Sequence, residues 1–274
     1  MASLKDGMRG MRARIATTVA RARNGDLSIR TMVLGGAAGL ALIVAVIGAC
    51  KFYEYRATGG VGYVDASEFR LDGDVGVQTK KETFFGLLNP VVEAENARIR
   101  ETRERLKAAR NAAEPPGWVE GVAENYRIEW TGKEWETLLK RVDKVPRELV
   151  LVQAANESSW GQSRFAQQGN NMFGQWCFTE GCGIVPAQRT AGLSHEVAAF
   201  DSVNEAVRAY LRNINTGGAY RELREIRWNA RQNGEQPKAT DLAAGLTRYS
   251  ERGHEYIREI RAMIRVNQPY MQTP

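Results

Sequence analysis

Apolar and polar positions alternate in three different ways along this chain. From Thr31 to Cys50 the apolar run is unbroken by any charge, and Lys51 closes it. At ~1.5 Å of rise per residue such a helix spans about 30 Å, the thickness of a hydrocarbon core. A secretory apolar region is usually only about 7–15 residues long, so residues 31–50 are expected to form one transmembrane helix. Ile47-Gly48-Ala49-Cys50 offers an alternative, a lipoprotein box with Cys50 as the lipidated terminus. Thr58 to Gln78 is Gly- and Asp-containing and reads as a flexible linker.

The second regime is a charged helix from Glu82 to Ala113. Phe84, Phe85, Leu87, Leu88, Val91 and Val92 anchor its first half, and Pro115-Pro116-Gly117 ends it. Glu93, Glu95, Arg98, Arg100, Glu101, Arg103, Glu104, Arg105 and Lys107 alternate in sign, the pattern of a solvated face. The third regime is amphipathic and punctuated. Trp118 to Val142 predicts two short helices separated near Thr131-Gly132. Pro146 suits the first turn of the next, with Leu149, Val150, Val152 and Ala155 at helical spacing and Gly161 as a stop. Between Phe173 and Phe200, Gly, Thr and aromatic residues predict a small hairpin or β-lobe. Asp201-Ser202 caps a helix carrying Val203, Ala206, Val207, Tyr210 and Leu211. Helices over 219–231, 239–247 and 255–266 complete the pattern. The class is mainly α (α+β), a helical domain with a small β-hairpin lobe, preceded by one transmembrane helix.

Charge orients this arrangement. Residues 1–30 carry Lys5, Arg9, Arg12, Arg14, Arg21, Arg23 and Arg30 against Asp6 and Asp26, and so supply five of the six net positive charges. The positive-inside rule keeps that tail in the cytoplasm and sends everything after Lys51 outward. The expected location is a single-pass inner-membrane protein with a periplasmic body. The nearly neutral remainder gives nucleic-acid binding little support, and no phosphate loop, dinucleotide fingerprint or HExxH string occurs. Cys177 and Cys182 are the cysteines of the exported part. In an oxidising compartment they favour a disulfide across the intervening turn over a metal site, for which no nearby histidine pair exists. His195 and His254 are isolated, and no metal or cofactor is implied.

Glu157 carries the candidate chemistry. It ends an apolar helix, where burial disfavours the charged carboxylate and lifts its pKa toward the range of a neutral-pH general acid. Ser163-Arg164-Phe165-Ala166 and Gly169-Asn170-Asn171-Met172-Phe173-Gly174-Gln175-Trp176 then combine aromatics, amides and glycines, the mixture that lines sugar-binding grooves. From Leu149 to Trp176 the chain resembles the bacterial glucosaminidase superfamily, glycoside hydrolase family 73, in its Bax-type branch. Cys177 to Pro186 resembles the branch's cysteine-bearing hairpin, and His195 to Ser202 its returning strand. Tyr249-Ser250-Glu251-Arg252-Gly253-His254-Glu255-Tyr256 resembles its terminal motif, and the likeness covers roughly Phe84 to Asn267.

The resemblance implies a lysozyme-like fold and an endo-β-N-acetylglucosaminidase acting on peptidoglycan glycan strands. Glu157 takes the position of the acid and Tyr249 that of the cleft tyrosine. Glu196, just before the Val197–Phe200 strand, is a candidate second carboxylate, and Glu180 reads as solvent-exposed. Asn170, Asn171, Phe173 and Trp176 are assigned to sugar binding, and Trp160 and Tyr256 to the core. The implied division is a basic tail (1–30), anchor (31–50), linker (51–81), helical extension (82–143), catalytic domain (144–268) and short tail (269–274). A lytic transglycosylase and a non-catalytic wall-binding protein are the alternatives. The Tyr249 motif and the cysteine hairpin favour the glucosaminidase.

Overall fold

Among the described residues, nine α-helices and a short sheet build the protein's body, and one of the helices is buried along most of its length. The computed structural model describes residues 43–44, 46–48, 60–187, 189 and 194–271. The chain divides into two units, Met1–Glu54 and Tyr55–Pro274. In the first, Ile43, Val44, Val46, Ile47 and Gly48 are helical and exposed. The rest of the expected transmembrane segment, the basic tail and Cys50 lie outside the described residues. No helix among the described residues is long and apolar enough to cross a membrane.

In the second unit a 3-10 turn, Ala66–Phe69, precedes α1 (Val77–Arg110), α2 (Trp118–Asn125), α3 (Trp135–Arg141), α4 (Arg147–Glu157) and α5 (Arg164–Gly169). Strands β1 (Trp176–Cys177), β2 (Gly183–Ile184) and β3 (Glu196–Ala198) come next. Helices α6 (Val203–Thr216), α7 (Arg221–Gln232), α8 (Ala239–Leu242) and α9 (His254–Asn267) complete the body. The mainly helical class with a small β-lobe is what the periodicity predicts.

Helix α4 is the centre. Leu149 through Ala155 are all buried, because α1, α8 and α9 pack around it. A helix apolar on one stripe rests on a core, whereas one buried on every side is the core. The two helical halves of α1 do different work. Phe84, Phe85, Leu88, Val91 and Val92 join the α4 core, and Leu106 and Ala109 join a second cluster with Val119, Ala123, Leu138 and Val142.

The structure corrects three expectations here. The stretch read as a flexible linker places Val64, Ala66 and Phe69 in the main core. Asp65 caps the 3-10 turn in a reciprocal capping box with Glu68, and helix α1 begins at Val77, inside the supposed linker. The alternating charges of α1 are not all solvated. Glu95 and Arg103 are buried; Glu95 accepts two hydrogen bonds from Arg208, at 3.1 and 2.8 Å, and Arg103 donates to the Leu139 and Val142 carbonyls. Finally, the two arms of the cysteine-bearing segment do not pair with each other as a hairpin, although the small β-lobe itself is present. Both β1 and β2 pair antiparallel with β3, which lies between them. Gly183 is required at the β2 crossing, since a Cβ there would lie 2.0 Å from the Val197 carbonyl oxygen.

Candidate active site

Glu157 is the last residue of α4, and the turn beyond it holds it in place. The chain leaves the helix through Ser158, whose hydroxyl donates to the Ala154 carbonyl and accepts from the Gly161 amide. Ser159, Trp160 and Gly161 are then successive left-handed residues, with φ of 52°, 60° and 77°. Two of them carry side chains, and such conformations persist only where surrounding contacts enforce them. The Trp160 ring meets Phe84 and Phe85 edge-on, each at 5.5 Å, so its assignment to the core holds. At Gly161 a Cβ would lie 2.8 Å from that of Phe69. The former linker thus buttresses the turn behind Glu157.

The carboxylate itself is half-buried. Burial pushes its pKa above the ordinary glutamate value, while hydrogen bonds from Tyr256 and Asn156 draw it partway back. Tyr256 donates to Oε1 at 2.9 Å. Tyr256 in turn accepts from Nε2 of Gln153 at 3.0 Å, and Oε1 of Gln153 accepts from the Tyr210 hydroxyl. Each hydroxyl has one proton, so the chain has one polarity: Tyr210 to Gln153 to Tyr256 to Glu157. Tyr256 is 1% exposed, as a core residue should be. Its hydroxyl nevertheless makes it part of the site, a role that sequence reasoning missed.

Glu157 opens onto a cleft of about 1030 Å³. Tyr249 also lines it, stacked on Tyr256 with ring centres 5.3 Å apart and donating to the Phe173 carbonyl at 3.2 Å. Burial, then the charge of neighbouring groups including Glu157, raises the Tyr249 hydroxyl pKa well above its ordinary value. Phe173 is on the wall and stacks on Tyr210 at 4.0 Å. Trp176 is 53% exposed and Phe178 75% exposed, both on the same cleft. Rings left open beside a polar wall are suited to the apolar faces of a sugar. The structure therefore brings Glu157, Tyr249, Phe173 and Trp176 together.

It does not bring the other candidates to the cleft. Asn170 occupies a left-handed position that ends α5, a conformation asparagine tolerates. Its amide joins Ala66 to Phe200, accepting from the Ala66 amide at 2.7 Å and donating to the Phe200 carbonyl at 2.9 Å. Asn171 is 1% exposed. It donates to the carbonyls of Gln175 and Ala198 and accepts from the amides of Phe173 and Gln175. Both asparagines shape the loop that carries the aromatics, and neither lines the cleft.

Glu196 is likewise a structural residue. It is 4% exposed, and its carboxylate accepts from the amides of Gly181 and Gly183 at 3.1 and 2.8 Å. Cys177, its partner in the β1–β3 register, forms the disulfide to Cys182. The two sulfurs and a Glu196 oxygen lie within 4.8 Å of one another, but bonded sulfurs are not thiolate ligands. The carboxylate braces the loop that the disulfide closes.

Sequence reasoning also missed the polar wall. Glu205, Arg208, Ala209, Arg212 and Asn213 line the cleft from α6. Their spacing repeats every three to four residues, opposite the buried Val203, Ala206, Val207, Tyr210 and Leu211. That stripe was visible, but a polar helix face is ordinarily just solvated. Arg127, just beyond α2, completes this side together with Tyr220 and Phe200.

Residues 132–269 match the glucosaminidase family, described as mannosyl-glycoprotein endo-beta-N-acetylglucosaminidase. The chain is 32% identical over 200 residues to Protein bax of Escherichia coli (strain K12), a likeness spanning 69% of this chain and 70% of that protein. No solved structure matches the chain.

Proposed function

Since the chain belongs to the glucosaminidase family, we propose that it is a membrane-anchored peptidoglycan hydrolase, cutting the β-1,4 bond after N-acetylglucosamine with Glu157 as general acid. The observation that carries this reading is the setting of Glu157. A carboxylate on the wall of a sugar-sized cleft, with its pKa raised by burial and one oxygen engaged by Tyr256, keeps its proton to higher pH than an ordinary glutamate, as a general acid must.

Glycosidic cleavage needs that proton delivered to the leaving oxygen while positive charge grows at the anomeric carbon. Tyr256 occupies Oε1 as a donor, so the acidic proton of Glu157 belongs on Oε2. Tyr249 presents a protonated hydroxyl and an electron-rich ring at the same wall, positioned to support the reacting sugar. Glu205 is the other carboxylate lining the cleft among the described residues, and it takes the water-positioning role in place of Glu196. Trp176 and Phe178 hold the neighbouring sugars. The body with its small β-lobe corresponds, in this reading, to a lysozyme-like arrangement.

Residues 31–50 would form a single inner-membrane span, leaving the arginine-rich tail in the cytoplasm and the cleft in the periplasm. Anchoring confines the cutting activity to the space between membrane and wall. The test is end-group analysis: the full chain in detergent is incubated with isolated peptidoglycan, and the new ends are identified by mass spectrometry. Reducing N-acetylglucosamine ends are expected. Anhydro-muramic ends would instead make the protein a lytic transglycosylase, and binding without release would make it a wall-binding protein.

A further inference from the structure

The α6 wall of the cleft carries more positive charge than sugar hydroxyls require. Arg127, Arg208 and Arg212 line the cleft, against Glu157 and Glu205. Arg208 is committed to the buried Glu95 through two hydrogen bonds. Arg127 and Arg212 make no ion pair among the described residues, although both are exposed to the cleft.

Both are nonetheless held by the fold. Arg212 donates from Nε to the Asn125 carbonyl at 3.1 Å, which fixes it beside the end of α2. Arg127 comes two residues later with φ of 57°, a left-handed conformation that an arginine adopts only under constraint. The constraint is Arg141, which donates to the Tyr126 and Arg127 carbonyls, both at 2.7 Å. An arginine whose backbone is clamped in a strained turn on a cleft wall, with no partner charge among the described residues, is placed for a ligand.

We propose that Arg127 and Arg212 form a carboxylate-recognition site, so that the cleft selects acid-bearing glycan over neutral glycan. The guanidinium fork matches carboxylate geometry. N-acetylglucosamine has no charge to offer. The muramic acid units beside it do, either through carboxylates of an attached stem peptide or through the free lactyl carboxylate of a stripped strand. This rests on the peptidoglycan reading and adds its substrate class.

The experiment measures binding to the full chain carrying Glu157→Gln, with and without Arg127→Gln/Arg212→Gln. Three probes are used: peptide-bearing strands, amidase-stripped strands with free lactyl carboxylates, and stripped strands whose carboxylates are converted to neutral methylamides. The double substitution should weaken binding roughly tenfold on a charged probe and leave the neutral probe within about twofold. The loss should shrink as salt rises, and Arg127→Lys/Arg212→Lys should recover part of it. Loss confined to peptide-bearing strands identifies stem carboxylates, and loss on stripped strands identifies the lactyl group. Unchanged binding of charged probes, or equal weakening on all three, overturns the proposal. Cleavage by the wild-type chain is scored separately: charge-selective binding without cleavage removes the hydrolase reading and leaves the arginine site standing.

Discussion

Tyr256 donates its hydroxyl proton to Glu157 at 2.9 Å while accepting one from Gln153 at 3.0 Å. Burial and the neighbouring Glu157 charge push the tyrosine's pKa far upward, so it acts only as a donor to the carboxylate. That donation favours the charged form of Glu157 and opposes the desolvation that raises its pKa.

Tyr256→Phe removes the opposing effect and should raise the Glu157 pKa further. The basic limb of the pH–activity profile, where the general acid loses its proton, is then expected to move to higher pH. Gln153 is fully buried and would lose an acceptor for its amide, at about 1–3 kcal/mol of stability. A pH–rate series with parallel denaturant melts measures both; a basic limb that stays put or moves down contradicts the donor role.

Glu157 also makes stability depend on pH. Its folded pKa lies above the unfolded value, so its contribution is fully present below the ordinary glutamate pKa. That contribution is lost as pH rises through the raised pKa, because the native state must then hold a half-buried charge. Glu157→Gln should abolish that decline and gain on the order of 1 kcal/mol at neutral pH, as removal of a functional group from a strained site commonly does. Melts of wild type and variant at about pH 4 and pH 8 decide it, and a variant destabilised at both values would contradict this assignment.

Glu196 should behave in the opposite way. Glu196→Ala leaves the Gly181 and Gly183 amides without their acceptor, at about 1–3 kcal/mol, yet kcat should stay within a few-fold of wild type. Cys177→Ser/Cys182→Ser opens a short loop and should remove about 2 kcal/mol in the chain-entropy model. Because that loop follows Trp176 and contains Phe178, KM should rise more than kcat falls. A loss of kcat of a thousandfold in Glu196→Ala would return this carboxylate to the chemistry.

Phe69→Ala tests the support behind the Glu157 turn. The ring is 1% exposed and meets Phe84 at 5.5 Å, so truncation should cost about 3–5 kcal/mol. A fragment beginning near Lys81 would lack Val64, Ala66 and Phe69 altogether and should melt well below one beginning before Val61. Equal melting temperatures would mean that the segment is dispensable.

Much of this molecule was legible in advance, and the omissions have definite causes. Helix positions followed from apolar spacing and from Pro146, Ser202 and the Pro115-Pro116-Gly117 stop. Glu157 could be singled out because a carboxylate closing an apolar helix is costly wherever it lies. Asn170 and Asn171 were misassigned because an amide suited to a sugar is equally suited to a loop backbone, and only geometry tells which it meets. Glu196 was misread because two backbone amides from Gly181 and Gly183 make a buried carboxylate tolerable, and such partners leave no mark in the sequence. Phe69 was overlooked because glycine and aspartate around it resemble a linker. The α6 stripe was hidden by the ordinariness of polar residues on a helix face, and Arg127 by that of a charged residue in a turn.

The most direct test is kcat on isolated peptidoglycan strands for the full chain and its Glu157→Gln variant, with strand binding measured alongside. General-acid catalysis contributes about 10²–10⁴ in rate, so the variant should lose at least about a hundredfold in kcat while remaining folded and binding strands within a few-fold. A variant that keeps kcat within tenfold of wild type would remove Glu157 from the chemistry and, with it, the central claim.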